Sequence, residues 1–193
     1  MQENCQFDRE KFKDVIHFIV SHAETAFGRE VLGNVKLHKA LYYADFLTYL
    51  ATMKPLTGAD YQRQKFGPTA RHLSAALLEL QDEGRVSVHA RDYFGYQKKV
   101  YQSRLLPQTN RLTDAERATI IEVLAFVCGR TASEISDFSH DEVWSSVRMG
   151  ERIPYYASFA LIPVEICDED IRQATDEAQR IAPIIQGEFG YAR

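Results

Sequence analysis

The sequence predicts a mainly α fold with a small antiparallel β component, its helical core built around a helix at about residues 35–53. Three observations lead there. Apolar residues recur at helical spacing through the first fifty positions, and a β-forming stretch between Arg85 and Leu105 has turn chemistry at Gly95. Three Ser/Thr-x-x-Glu helix starts also fall between Thr113 and Glu142.

Phe12, Val15, Ile16, Ile19 and Val20 form the stripe of a helix from Asp8 to about Ala26 with one buried face and Asp8 as its N-cap. Gly28 and Gly33 break the chain, and Asn34 is placed to cap a second helix from Val35 to about Met53. From Ala40 to Ala51 this helix is apolar almost all round, interrupted by Asp45 and Thr48, so it should be the central one. Pro55 and Gly58 end it. Ala59 to Phe66 alternates and closes on Gly67-Pro68, which predicts a short strand.

Thr69 to Glu83 returns to helical spacing, with Leu73, Leu77 and Leu80 on one face and Gly84 as the stop. Val86, Val88, Tyr93, Tyr96, Val100 and Tyr101 then predict a hairpin with one solvent-facing side. Thr113–Glu116, Thr131–Glu134 and Ser139–Glu142 read as three capping boxes that open short helices. Gly150 closes that run, and Ile153-Pro154-Tyr155 is extended. A last helix begins near Asp168 with Ile171, Ala174, Ala178 and Ile181 as its stripe, and Pro183 should end or kink it. The expected organisation is a single domain over residues 1–182 and a flexible tail over 183–193. The core should contain Leu37, Leu41, Tyr42, Tyr43, Phe46, Leu73, Leu77, Phe138 and Trp144.

With 193 residues, 45% hydrophobic and 26% charged, the composition is that of an ordinary globular chain and not of a disordered or fibrous one. There is no run of eighteen apolar residues and no basic-then-apolar leader, so neither a membrane span nor secretion is expected. Cys5, Cys128 and Cys167 are odd in number and widely spaced, which writes no disulfide framework or zinc knuckle and suits a reducing cytoplasm. The net charge of −4 is unevenly spread: residues 60–104 carry eight Lys/Arg against five Asp/Glu, residues 132–193 five against twelve. A basic middle and an acidic C-terminal third are a hint about partners.

Candidate chemistry is sparse. No GxxxxGK[ST] or GxGxxG sequence is present, nor an HExxH or CxxC, and His17 and His22 would diverge around a helix. Asp168-Glu169-Asp170 reads as a helix start favouring negative charge. Ser139-His140-Asp141 cannot form a nucleophile, base and orienter, because adjacent side chains point in different directions. No catalytic residue, metal ligand or cofactor is therefore expected, and no enzyme. A polar strip on the second helix stands out: His38 and Asp45 are nearly two turns apart and share a face, with Lys36 and Lys39 flanking one end. A buried aspartate must be paired or hydrogen-bonded, so the strip reads as an internal network that fixes packing, the alternative being a ligand site.

Lys36-Leu37-His38-Lys39-Ala40-Leu41-Tyr42-Tyr43-Ala44-Asp45, followed by Leu56-Thr57-Gly58-Ala59-Asp60-Tyr61 and Phe66-Gly67-Pro68, resembles the Panacea domain family of SocA-like antitoxins. Ala132-Ser133-Glu134-Ile135-Ser136-Asp137-Phe138-Ser139-His140, with Trp144 and Ile153-Pro154-Tyr155, is similar to that family's C-terminal block. Ala40 stands where the family usually has Leu, and the usual Gly before Trp144 is missing. The motif residues are Lys36, Leu37, Lys39, Leu41, Tyr42, Tyr43, Gly67, Pro68, Ser139, His140 and Trp144. The resemblance implies a mostly helical domain found in bacteria and prophages, which neutralises a cognate toxin by direct binding. Through the namesake it also implies the alternative role of an adaptor delivering a toxin to a AAA+ protease.

Exposed aromatics beside cations suit an interface, which makes Tyr61, Arg63, Lys65, Tyr93, Phe94 and Tyr96 candidates for partner contact. The acidic C-terminal third would complement a toxin whose own site is basic. A competing reading takes Gly67 to Leu105 as a winged helix-turn-helix bound to DNA. Arg71, His72, Arg91, Lys98, Lys99 and Arg104, with Arg63 and Lys65, would then meet phosphates. Glu79, Asp82 and Glu83 at the end of the supposed recognition helix oppose it.

Overall fold

The computed structural model describes residues 5–93, 95–162 and 167–189. It divides the chain into two compact units, Met1–Leu161 and Ile162–Arg193. The first contains helices α1 (Arg9–Phe27), α2 (Asn34–Thr52), α3 (Leu73–Asp82), α4 (Asp114–Cys128), α5 (Ala132–Phe138) and α6 (Glu142–Ser145). Its strands are β1 (Tyr61–Gln62), β2 (Thr69–Ala70), β3 (Val86–Tyr93), β4 (Tyr96–Ser103) and β5 (Arg152–Ile153), followed by a 3₁₀ segment, Tyr155–Leu161. The second contains α7 (Asp168–Phe189). The fold is mainly α with small antiparallel sheets, as the sequence predicts.

α2 is the axis of the first unit. Every residue from Lys39 to Phe46 is buried, and α1, α4, α5, β2 and the 3₁₀ segment pack around it. An aromatic cluster forms at its centre: Tyr42 and Phe46 lie 4.3 Å apart, Phe46 and Tyr155 4.8 Å, and Tyr61 5.6 Å from both Tyr42 and Phe46. Leu37, Leu41, Tyr42, Tyr43, Phe46, Leu73 and Leu77 are core residues as expected. Phe138 is not, being 55% exposed, and Trp144 is half-buried.

Several boundaries move for identifiable reasons. Asn34 is the first residue of α2 and not its cap, because its side chain accepts a hydrogen bond from the Tyr101 hydroxyl at 2.9 Å. The expected strand over residues 59–66 shrinks to Tyr61–Gln62, flanked by β2 on one side and β5 on the other. Thr69 and Ala70 leave the predicted helix for this sheet, so α3 starts only at Leu73. The Thr113 and Thr131 capping boxes form as written. The third does not: Asp141 caps α6 by accepting from the Trp144 N–H at 2.8 Å, while Ser139 closes α5.

The β3–β4 hairpin holds register from Val86 opposite Ser103 to Tyr93 opposite Tyr96. Its base is tied to α1 by a charged cluster that sequence reasoning missed. Fully buried Asp14 accepts from Arg85 at 2.7 Å and Arg111 at 2.8 Å, and Arg85 also donates to His17 at 3.2 Å. In the second unit, α7 runs through Pro183 to Phe189 and is not ended there. A proline removes one i to i−4 bond, and the turns on either side still form.

Three members of the polar strip on α2, His38, Lys39 and Asp45, bond inside the fold. Asp45 accepts from the Thr57 N–H at 2.6 Å, the Thr57 hydroxyl at 2.7 Å and the Tyr61 hydroxyl at 2.6 Å. His38 Nδ1 accepts from the Ala70 N–H at 3.1 Å. Asp45→Ala would leave three buried donors without an acceptor, and should lower the unfolding free energy by about 3 to 5 kcal/mol in a urea titration. Asp45→Asn, which keeps one acceptor oxygen, should cost less.

Candidate functional site

The two motif-bearing stretches, distant in sequence, meet at one corner of the first unit. The Gly67-Pro68 turn places the Pro68 carbonyl 3.0 Å from the Lys39 ammonium, which donates to it. Gly67 has φ +86°, and a Cβ there would overlap both Lys39 Nζ and Ser139 Oγ. Ser139 is itself buried, its hydroxyl donating to the Ser136 carbonyl at 2.7 Å. One turn on, the Trp144 indole N–H donates to the Gln64 carbonyl at 3.1 Å, and the Arg63 guanidinium lies 3.8 Å over the Trp144 ring. The exposed His140 ring sits 4.3 Å from Trp144.

Electrostatics at this corner follow from burial. Desolvation drives the Lys39 ammonium down to about 7, with Asp141 the opposing influence. The same desolvation raises Asp141 and pushes the Tyr42 and Tyr43 hydroxyls up; neither hydroxyl has a hydrogen-bond partner among the described residues. His38 is held down at about 4 by burial and then by Lys39, so it stays neutral and can accept from Ala70. Ser139, His140 and Asp141 point to Ser136, Trp144 and the start of α6 respectively, so they form no relay. Among the described residues no cluster of three or more His, Cys, Asp or Glu could hold a metal ion, and no helix is long and apolar enough to cross a membrane. What the motif residues build is a locked junction.

Beside this junction an apolar groove of about 540 Å³ opens between α2, α4, α5 and the end of the 3₁₀ segment. Tyr43, Leu47, Val123, Phe126, Phe138 and Leu161 line it, and Glu122, Asp141 and Glu142 stand at its rim. Leu47 is 43% exposed. Phe138 rests edge-on against Phe126 at 5.0 Å, and Arg130 stacks 3.8 Å over Phe126, so the aromatic floor is fixed in place. Sequence reasoning missed this surface because Phe138 follows Ile135 at helical spacing and reads as core. The signal present was Leu47, an apolar residue on the far side of a helix already buried all round.

The candidate contact residues scatter. Tyr61 is 1% exposed, so it is not a surface residue; its hydroxyl is taken by Asp45. Arg63 is half-buried on Trp144, and Lys65 is exposed beside Phe66. Tyr93 and Tyr96 are paired in register at the hairpin end, and Phe94 lies outside the described residues. Among the residues proposed for DNA, Arg71 and Lys99 are exposed, and His72 stacks on Phe7 at 4.3 Å. Arg91 pairs with Glu30, Lys98 donates to the Glu30 carbonyl at 2.7 Å, and Arg104 donates to Ser87 at 2.8 Å.

A family model described as antitoxin SocA-like, Panacea domain, matches residues 37–145, more than half of the chain. No curated protein and no solved structure matches.

Two outcomes test the junction. Gly67→Ala combines a left-handed φ with overlap onto Lys39 and Ser139, and should destabilise by about 3 kcal/mol; Gly67→Ala with Ser139→Gly should recover part of it. Lys39 is lowered from 10.5 to about 7, so the folded state favours its neutral form. Its contribution is complete above pH 10.5 and is lost as pH falls through about 7. Urea unfolding of the wild type should therefore show stability rising between pH 7 and pH 9, and Lys39→Met should show a smaller rise.

Proposed function

The chain belongs to the SocA-like antitoxin family through its Panacea domain, and from that premise we propose that it neutralises a cognate protein toxin by direct binding at the groove between α2, α4 and α5. The observation that supports this reading is an exposed apolar floor with a rim of carboxylates, on a face that falls almost wholly within the matched residues. Surface apolar groups gathered into one concavity mark interaction sites, whereas isolated ones need no explanation.

The groove's chemistry specifies its occupant. Leu47, Phe126 and Phe138 offer aromatic and aliphatic contact in a shape that takes the apolar side of a helix or an extended segment. Glu122, Asp141 and Glu142 complement Lys or Arg flanking that apolar side. The partner segment is thus amphipathic and basic. The acidic C-terminal third suggested by composition contributes here through Asp141 and Glu142, from the α5–α6 corner. Rigidity favours such a site: the junction behind it is fixed by Lys39, Ser139 and Trp144, so little ordering is left to oppose binding.

The test is co-expression with the product of the adjacent gene, scored by arrest and rescue of growth, with affinity measured on the purified pair. Leu47→Asp and Phe138→Asp, both at exposed positions, should weaken binding roughly 30-fold each, as expected of an apolar anchor worth about 2 kcal/mol. They should abolish rescue while leaving the circular dichroism spectrum unchanged. Binding should also weaken from 50 mM to 500 mM salt. Full rescue by both variants would overturn the groove as the contact surface, and an affinity indifferent to salt would remove the role of the carboxylate rim.

A further inference from the structure

A second cavity, of about 580 Å³, lies where the start of α2 meets β4 and the start of α5. It falls within the roughly 300 to 1,000 Å³ of small-molecule sites. The motif at Lys36 leads into it. Lys36 lines the cavity and is nine-tenths buried, yet its ammonium meets one acceptor among the described residues, the Cys128 carbonyl, at 3.4 Å. An ammonium carries three donors, and a buried cation with few acceptors is costly to keep. Burial accordingly lowers the Lys36 pKa, against the opposing influence of Cys128, and the proximity of Lys98 lowers it further.

Lys98 and Lys99 line the same cavity from the hairpin, Lys99 exposed and Lys98 part-buried with its ammonium donating to the Glu30 carbonyl at 2.7 Å. The carboxylate that also lines it, Glu30, is paired with Arg91 outside. Glu134, the other acid acting on Lys36, is held in its capping box by the Thr131 N–H at 2.7 Å. α2 contributes a further positive element. Its N-cap is Gly33, which provides no side-chain acceptor, and the Asn34 side chain is turned away to Tyr101. First-turn amides and lysines around one space form the usual setting for a phosphate. The space exceeds what a bare phosphate fills, and Val31, Val35 and Ala132 supply apolar wall for an organic group.

We propose that this cavity binds a phosphate-bearing small molecule of nucleotide size, with Lys36 and the first turn of α2 taking the phosphate and Lys98 and Lys99 neutralising it from the solvent side. The site is separate from the groove proposed for the toxin, and its test needs no toxin. A phosphate group could also arrive on a nucleic-acid backbone. The depth of Lys36 favours the small molecule, and the experiment separates the two.

Purified full-length protein is titrated calorimetrically with pyrophosphate, with ADP and with a 20-bp DNA duplex, at constant ionic strength. Saturable binding of pyrophosphate or ADP is expected, and Lys98→Gln with Lys99→Gln should weaken it about tenfold. Lys36→Gln should weaken it more. If that variant fails to fold, the Lys98/Lys99 double variant still decides the matter. Lys54→Gln, which changes an exposed lysine outside the cavity lining, should bind as the wild type does. No saturable binding of either small probe at millimolar concentration, or equal binding by the double variant, would overturn the proposal. Duplex binding displaced by neither probe leaves the cavity to the small molecule, whereas duplex binding lost in Lys36→Gln and displaced by pyrophosphate overturns the small-molecule source.

Discussion

The architecture depends on α2 being buried on almost every side while carrying an imidazole, an ammonium and a carboxylate that are costly to leave unpaired. A helix of this kind satisfies its own backbone, but the side chains of His38, Lys39 and Asp45 must find partners in the protein interior. All three find them in one stretch of chain, residues 57–70: Asp45 at Thr57 and Tyr61, His38 at Ala70, Lys39 at Pro68. That requirement threads an otherwise irregular segment along the helix in a single register. It also explains why β1 and β2 can be two residues long. Much of what holds them is directed at α2, and the ladder is an addition to it.

The same threading joins the two halves of the first unit. With Tyr61 and Gln62 fixed, β5 pairs to their free edge, Tyr155 enters the aromatic cluster and its hydroxyl donates to the Ala59 carbonyl at 2.7 Å. Gly67 then comes against Ser139, where only a residue without Cβ fits beside Lys39. A face of α2 is left between α4 and α5, and because the corner behind it is locked, Leu47, Phe126 and Phe138 hold a defined shape without a partner. An exposed aromatic floor is tolerable when its rings already pack on one another and on Arg130.

Legibility of the sequence tracked how local each determinant is. The helices with apolar stripes, the Thr113 and Thr131 boxes and the hairpin were readable because each is decided within a few residues. Ser139 misled for a reason of the same kind: it satisfies the capping pattern, but its hydroxyl is turned back onto the Ser136 carbonyl at the end of α5, and Asp141 caps α6. Tyr61 and Phe138 exchanged places relative to expectation. An aromatic on a short alternating segment and one at i+3 on a helix look respectively exposed and buried, and only the position of Asp45 and the groove reverse that. The Asp14, Arg85 and Arg111 cluster was invisible because its members are 71 and 97 residues apart from Asp14. The corner of motif residues was legible as a recurring pattern, whereas its cause, the contact of Gly67 with Ser139, was not.

Charge shows how far a compositional reading carries. The basic middle suggested a polyanion surface, yet part of that charge is already paired with acids, Arg85 with Asp14 and Arg91 with Glu30, while Arg104 and Arg63 keep their charge but are held on Ser87 and Trp144. A cation held by an acid inside its own fold contributes little field to a partner, since the pair is nearly neutral a few ångströms away. What matters is the remainder, and it is not spread evenly over residues 60–104. Lys99 is exposed at the cavity that Lys36, from a different helix, also lines, with Lys98 beside it donating to the Glu30 carbonyl, while the carboxylates of Glu122, Asp141 and Glu142 gather at the groove. The two candidate surfaces therefore carry opposite charge, which suits two ligands of opposite character on one small domain. The net charge of −4 is the sum of these unlike surfaces and describes neither.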